Sequence, residues 1–304
     1  MSKPIARRHF VKQSAALTAL AMLPWSCMPG SERTYKIGLQ LFSVRDFMDK
    51  DPINTLIKVK AMGYEDFETY GLDLSNIGYY GMQAKEFKAV LDDMNLSTSS
   101  GHYNFAPYWN ASEHELQKFI DQCVTGAKAL GQEYITWPFL PEEYRTMEGY
   151  KMLSEKLNRI GEQVTEAGLG FAYHNHGYEF TDHNGDHGFA LILRETDPEL
   201  VKLQLDMYWV AHNTTESPAD IIDRDPGRFV MWHIKDMDKK TRDYTEMGNG
   251  SIDYHDILKN ASREGLKYYF IEQGGNYTTD SMTSAASSIS YFKRELIQYL
   301  SNSD

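Results

Sequence analysis

Four short apolar runs in this chain each carry a residue type that binds metals at their C-terminal edge. They are residues 171–180 (FAYHNHGYEF), 201–210 (VKLQLDMYWV), 228–236 (RFVMWHIKD) and 267–275 (KYYFIEQGG). Helix-like sequence separates them, and that alternation argues for a parallel sheet with crossover helices. In a parallel β/α barrel the C-terminal edge of the strands is where the active site sits. His174, Asp206, His233 and Glu272 are therefore expected to converge on one divalent cation, although about a hundred residues separate the first from the last.

The same alternation extends upstream. Strands are expected at 36–43 (KIGLQLFS), 64–70 (YEDFETY), 97–102 (STSSGH) and 133–139 (EYITWPF). Over 112–130, Leu116, Phe119, Ile120, Cys123, Val124, Ala127 and Leu130 recur at helical spacing. Leu153, Leu157, Ile160 and Val164 do the same over 150–167, ahead of Gly168. Pro52 and Pro218 stand where first-turn prolines are tolerated, and 281–300 is expected to close the chain as one long helix. Eight strands with helices between them predict a single (β/α)8 TIM barrel over residues 31–304. The rival is an open doubly wound sheet, but no G-x-G-x-x-G follows the first strand. The run Gly248-Asn249-Gly250-Ser251-Ile252-Asp253 reads as a turn capping a helix that starts at Tyr254.

Residues 1–30 are set apart as an export signal. Arg7-Arg8, Phe10 and Lys12 precede an apolar stretch from Ser14 to Trp25, and no acidic residue occurs before Glu32. That order fits a twin-arginine signal and predicts a periplasmic or otherwise exported protein. The stretch is too short to span a bilayer comfortably. Cys27 offers a lipid-anchor site, although Pro24 and Trp25 fit a lipoprotein cleavage site poorly. Cys123 is the only other cysteine and lies in a helix-like segment, which excludes a disulfide framework. The chain has 31 basic and 43 acidic residues, a formal charge of −12; without its first 27 residues, which hold four basic and no acidic side chains, this becomes −16. Such a body disfavours nucleic-acid backbones and anionic membrane surfaces. It does not disfavour a neutral sugar. Self-association into a homo-oligomer stays open.

Each ligand candidate has a bland alternative. An acid inside the run from Leu203 to Val210 is costly unless paired or coordinated, so Asp206 holds either a metal or a neighbouring Lys or Arg. Glu272, after Tyr268-Tyr269-Phe270-Ile271, meets the same argument. His233 alone reads more simply as a satisfied core histidine. His174 and His176, two apart on a strand, share a face. Four ligand types at four consecutive strand ends outweigh those separate readings. Mixed nitrogen and oxygen donors suit Mn²⁺ first, with Co²⁺, Zn²⁺, Fe²⁺ or Mg²⁺ as alternatives, over Ca²⁺.

The chain resembles the sugar phosphate isomerase/epimerase family with the xylose isomerase-like barrel. The resemblance rests on Ile37-Gly38-Leu39-Gln40-Leu41-Phe42-Ser43-Val44-Arg45-Asp46, Gly63-Tyr64-Glu65-Asp66-Phe67-Glu68, His233-Ile234-Lys235-Asp236 and Ile271-Glu272-Gln273. It implies that Asp206, His233 and Glu272 are metal ligands and that the fifth strand supplies a fourth. Many relatives read Ala-Leu-Glu-Asn-His there, with the glutamate as ligand. This chain reads Ala172-Tyr173-His174-Asn175-His176. His174 falls in the glutamate's place and is preferred, with His176 and Glu179 as alternatives.

The chemistry this implies is proton removal beside a carbonyl, with a base to take the proton and an acid to return it. Glu272, His176, Lys235 and Glu179 are the candidate catalytic groups. His102, Glu68, Trp137 and Trp209 are the candidate substrate contacts. Isomerase or epimerase action on a keto-sugar is the leading expectation. A lyase or dehydratase acting on 3-keto-glycosides or inososes is the runner-up, because a histidine beside one carboxylate suits elimination. A sugar-binding protein on a decayed barrel and an endonuclease acting at abasic DNA sites are the other readings.

Overall fold

A computed structural model describes residues 35–261 and 265–301. The export signal and Cys27 lie outside the described residues. Eight parallel strands close into a barrel: β1 (Gly38–Gln40), β2 (Asp66–Tyr70), β3 (Ser97–His102), β4 (Tyr134–Trp137), β5 (Gly170–His174), β6 (Lys202–Asp206), β7 (Met231–Ile234) and β8 (Tyr268–Ile271). Each pairs with its neighbours in sequence, and β1 closes the ring by pairing Gly38 with Phe270 and Leu39 with Ile271. The main helices are α1 (Pro52–Met62), α2 (Ala84–Asp93), α3 (Glu113–Leu130), α4 (Met147–Glu166), α5 (Gly188–Glu195), α6 (Met207–Asn213), α7 (Pro218–Arg224), α8 (Tyr254–Leu258) and α9 (Ser281–Tyr291).

Local chemistry sets where these elements begin. Ser112 caps α3 by accepting from the Glu115 N–H, while the Glu115 carboxylate accepts from the Ser112 N–H. Thr146 caps α4, which therefore starts a turn before the expected Tyr150. Pro52 and Pro218 occupy first turns, behind Asp51 and Ser217 caps. Asp253 caps α8, as the run before Tyr254 suggested. The expected closing helix is interrupted: it passes through a π-type turn at Phe292–Leu296 before Gln298–Ser301.

The strands are shorter than the apolar runs that contain them. On β1 the expected 36–43 strand stops at Gln40, whose side chain accepts from the Phe42 N–H and turns Leu41–Val44 into a helical turn. Gly38 meets the backbone of β8 so closely that a Cβ there would lie 2.1 Å from the Tyr269 carbonyl oxygen. The seam of the barrel needs a glycine at that point.

Alternation along the strands divides the molecule. Leu39, Phe67, Ile135, Phe171, Leu203 and Ile271 belong to the large core beneath the helices. Tyr134, Ala172, Met231 and Phe270 form a separate apolar cluster inside the barrel. One residue further along each inward-facing row the interior becomes polar and buried: Gln40, Glu68, Ser100, Thr136, Gln204 and His233.

Candidate metal centre

The polar layer is organised by Glu68, which is fully buried. Its carboxylate accepts from Gln40 Nε2 at 2.6 Å, Ser100 Oγ at 2.7 Å, Gln204 Nε2 at 2.7 Å and His233 Nε2 at 2.5 Å. His102 Nε2 lies 3.0 Å away and also meets Gln204 Oε1 at 2.8 Å. Burial opposes ionisation of Glu68, but His102 and His233 outweigh it and hold the carboxyl well below its ordinary range. These contacts correct the expectation that Glu68 touches a sugar hydroxyl. Its oxygens are taken up beneath the site, where they fix two histidines.

Above that layer the candidate ligands meet. Asp206 ends β6 and His233 lies on β7, while Glu272 directly follows β8; one ligand atom from each lies within 4.8 Å of the others. His233 Nδ1 is 2.5 Å from Glu272 Oε2 and 4.0 Å from Asp206 Oδ2. His174, at the end of β5, places Nε2 3.6 Å from Asp206 Oδ2. The Asp206 backbone N–H donates to Asn175 Oδ1 at 3.0 Å, joining the ends of β5 and β6. Asp206 Oδ1 caps α6 by accepting from the Trp209 N–H, which leaves Oδ2 turned toward the centre.

Lys235 Nζ lies 2.7 Å from Asp206 Oδ2 and 2.8 Å from Glu272 Oε2, so its ammonium serves both carboxylates. Buried carboxylate and imidazole atoms gathered this closely around one point are the donor set a cation-binding centre requires. Two carboxylates and two imidazoles fit a divalent transition ion. Glu68 on the far nitrogen of His233 completes the carboxylate–histidine arrangement that orients such ligands.

The electrostatics follow from burial and crowding. Burial disfavours charge on His233, yet Glu68 and Glu272 raise its pKa to about 9. Burial also opposes Glu272, and Lys235 and His233 override it, holding the carboxyl below its ordinary range. Lys235 is raised despite its burial, by Asp206 and Glu272. Asp206 moves the other way, because burial outweighs its cationic neighbours. His174 is kept neutral by burial and by the positive charge on His233.

A cavity of about 400 Å³ opens over this centre, lined by Phe42, Tyr70, His102, Asn104, Pro138, Phe139, His174, His176, Lys235 and Glu272. His176 stacks on Tyr178 with ring centroids 5.4 Å apart, and burial pushes its pKa down to about 3. A neutral imidazole thus faces the cavity. Lys235, a candidate catalytic group, folds back between Asp206 and Glu272. Asp236 accepts from the N–H groups of Met237, Gly248, Gly250 and Ile252 and ties down the following loop.

Two further expectations are corrected. Trp137 faces outward on β4 and packs with Phe105 and Trp109 in the core, so it does not stack on a sugar. Trp209 packs its ring on His176 with centroids 5.6 Å apart, at the edge of the cavity that His176 lines. Glu179 is fully buried and accepts from Tyr173 Oη at 2.6 Å and the His176 N–H at 2.9 Å. Tyr173 is an outward-facing residue of β5, so this carboxylate lies behind the strand and braces it. The residues that sequence reasoning passed over are Gln40 and Gln204. Gln204 sits two before Asp206 on one strand and shares its inward face, and an amide inside an apolar run is itself a signal.

Residues 56–294 match the xylose isomerase-like TIM barrel family. The chain belongs to that family. No curated protein matches it in sequence. A sugar phosphate isomerase/epimerase from Parabacteroides distasonis is 25% identical, with a TM-score of 0.74 over 88% of this chain and 97% of that one. The 3-keto-D-glucoside 4-epimerase of E. coli superposes with a TM-score of 0.66 at 18% identity, over 86% of this chain and 99% of its own. A protein named IolI, solved with a bound zinc atom, gives a TM-score of 0.67 at 15% identity, over 88% and 99%.

Proposed function

We propose that this family member is a divalent-metal-dependent isomerase or epimerase of an uncharged keto-sugar, which removes a proton beside the carbonyl and returns it. The observation that carries the reading is the cluster of Asp206, His233 and Glu272, with His174 Nε2 3.6 Å from Asp206, beneath a cavity that His174 and Glu272 line. A divalent ion held there supplies a Lewis acid for the substrate carbonyl. Manganese suits the donor set, with cobalt, zinc, iron or magnesium as alternatives. His176, neutral and facing the cavity, is the candidate base, with Glu272 as its counterpart across the site. Lys235 is the candidate partner for negative charge that develops on the substrate. Among the described residues lining the cavity, Lys235 is the one lysine or arginine, and it already lies between two carboxylates. This supports a substrate without a phosphate group. Export through the twin-arginine route, proposed from Arg7-Arg8, places the enzyme where such sugars occur.

The second reading, a lyase on 3-keto-glycosides, is favoured by one feature. Among the described residues that line the cavity, Glu272 is the one carboxylate, and Glu179 lies behind β5. One carboxylate and several histidines therefore face the substrate. Incubation of manganese-loaded protein with keto-sugars and 3-keto-glycosides in D₂O separates the readings. Deuterium uptake without fragmentation marks an isomerase or epimerase, and release of the aglycone marks a lyase. Neither event across a broad panel contradicts both.

A further inference from the structure

A second chamber of about 270 Å³ lies beside the cavity over the metal centre, and the two share His102, Asn104 and Pro138 in their walls. The second chamber is built by the loop after β2, which contributes Leu72 and Leu74, and the loop after β3, which contributes Pro107 and Tyr108. Phe119 of α3 lies beneath, stacked on Tyr108 with ring centroids 4.1 Å apart and planes 12° from parallel. Among the described residues, no Asp, Glu, Lys or Arg lines it. His174, His176, Lys235 and Glu272 line the first chamber alone, while the second, beyond the shared His102 and Asn104, offers mainly aliphatic and aromatic surface.

We infer that the second chamber is a binding subsite for an uncharged aromatic aglycone, so that the substrate is an aryl-type glycoside whose sugar ring occupies the metal-side chamber and whose bond to the aglycone passes His102. The inference rests on the reading of the first chamber as a sugar site and extends it. A charged aglycone would lose its hydration there without gaining a partner. A flat apolar one gains buried area and the Tyr108 ring. A second sugar ring would set most of its hydroxyls against Leu72, Leu74, Pro107 and Phe119, with Asn104 and the shared His102 as the main side chains able to answer them.

The test is calorimetric binding to the manganese-loaded full chain, with glucose, the two phenyl glucoside anomers and cellobiose as probes. One phenyl glucoside is expected to bind at least about tenfold tighter than glucose. Leu74→Trp, which fills the chamber, and Tyr108→Ala, which removes its ring, are each expected to abolish that gain and leave glucose binding within about twofold. The inference is overturned if neither phenyl anomer binds better than glucose, if cellobiose shows the gain and the phenyl glucosides do not, or if both folded variants keep the gain. Failure of the proposed reaction is a separate outcome: it appears as no deuterium uptake from any keto-sugar while the phenyl preference persists.

Discussion

Lys235 holds the position that most affects how the centre behaves without metal. Its ammonium, 2.7 and 2.8 Å from the two ligand carboxylates, occupies the space of a cation. Removing one partner of a buried ion pair costs about 3–5 kcal/mol. Lys235→Met is therefore expected to lower the melting temperature of metal-free protein sharply, and to bind Mn²⁺ more tightly than wild type because the competing charge is gone. Thermal melts with and without MnCl₂ check both parts; a variant whose metal-free stability matches wild type contradicts this role. Glu68 acts one step further back. Glu68→Gln keeps the size but turns an amide N–H toward donors, and it weakens the hold on His233 Nε2. Metal affinity is expected to fall by about 10–100-fold, measured by titration of the metal-free protein.

At the level of strands and loops, the seam between β1 and β8 is the tightest point. Gly38→Ala would force a methyl into the Tyr269 carbonyl. A destabilisation of about 1–3 kcal/mol or more is expected from such overpacking, read as a lowered denaturation midpoint in urea. The loop after β5 carries a pH dependence. Burial raises Glu179 to about 7 from an ordinary value of 4.5, so the folded protein holds a proton that the unfolded chain releases. Stability is then highest below about pH 4.5 for this group and falls as pH rises toward 7, by roughly 2–3 kcal/mol in total. Glu179→Gln is expected to flatten that part of the stability–pH curve; an unchanged slope between pH 5 and 7.5 counts against it.

Much of this element level was legible beforehand. Apolar runs between helical periods locate the strands, and an ionisable residue at the edge of such a run is conspicuous because burial there is costly. What stayed hidden was direction across the ring. Trp137 and Glu179 were read as facing the cavity because they lie near strand ends. Yet Thr136 points in, so Trp137 points out, and Glu179 follows the outward Tyr173. Counting inward parity from Asp206 or His233 would have caught the first of these. Glu68 could not be placed that way. It does face inward, but its depth depends on Gln40, Ser100, Gln204 and His233, which come from four other strands.

Across the whole molecule, closure of the barrel brings distant residues together. Glu68 and His233 are 165 positions apart and share a hydrogen bond. Parallel strands of matched register put Asp206 beside His233 on neighbouring strands, and β8 adds Glu272 on the other side of His233. The helices and their caps hold the ring; the polar interior layer then aims the histidines upward into the cavity. The most direct measurement is anomalous scattering at the manganese edge from crystals of protein soaked in MnCl₂. One peak per chain is expected within about 2.3 Å of Asp206, His233 and Glu272 together, with His174 beside it. A peak elsewhere, or a centre that stays free of manganese with Lys235 still between the two carboxylates, contradicts the account.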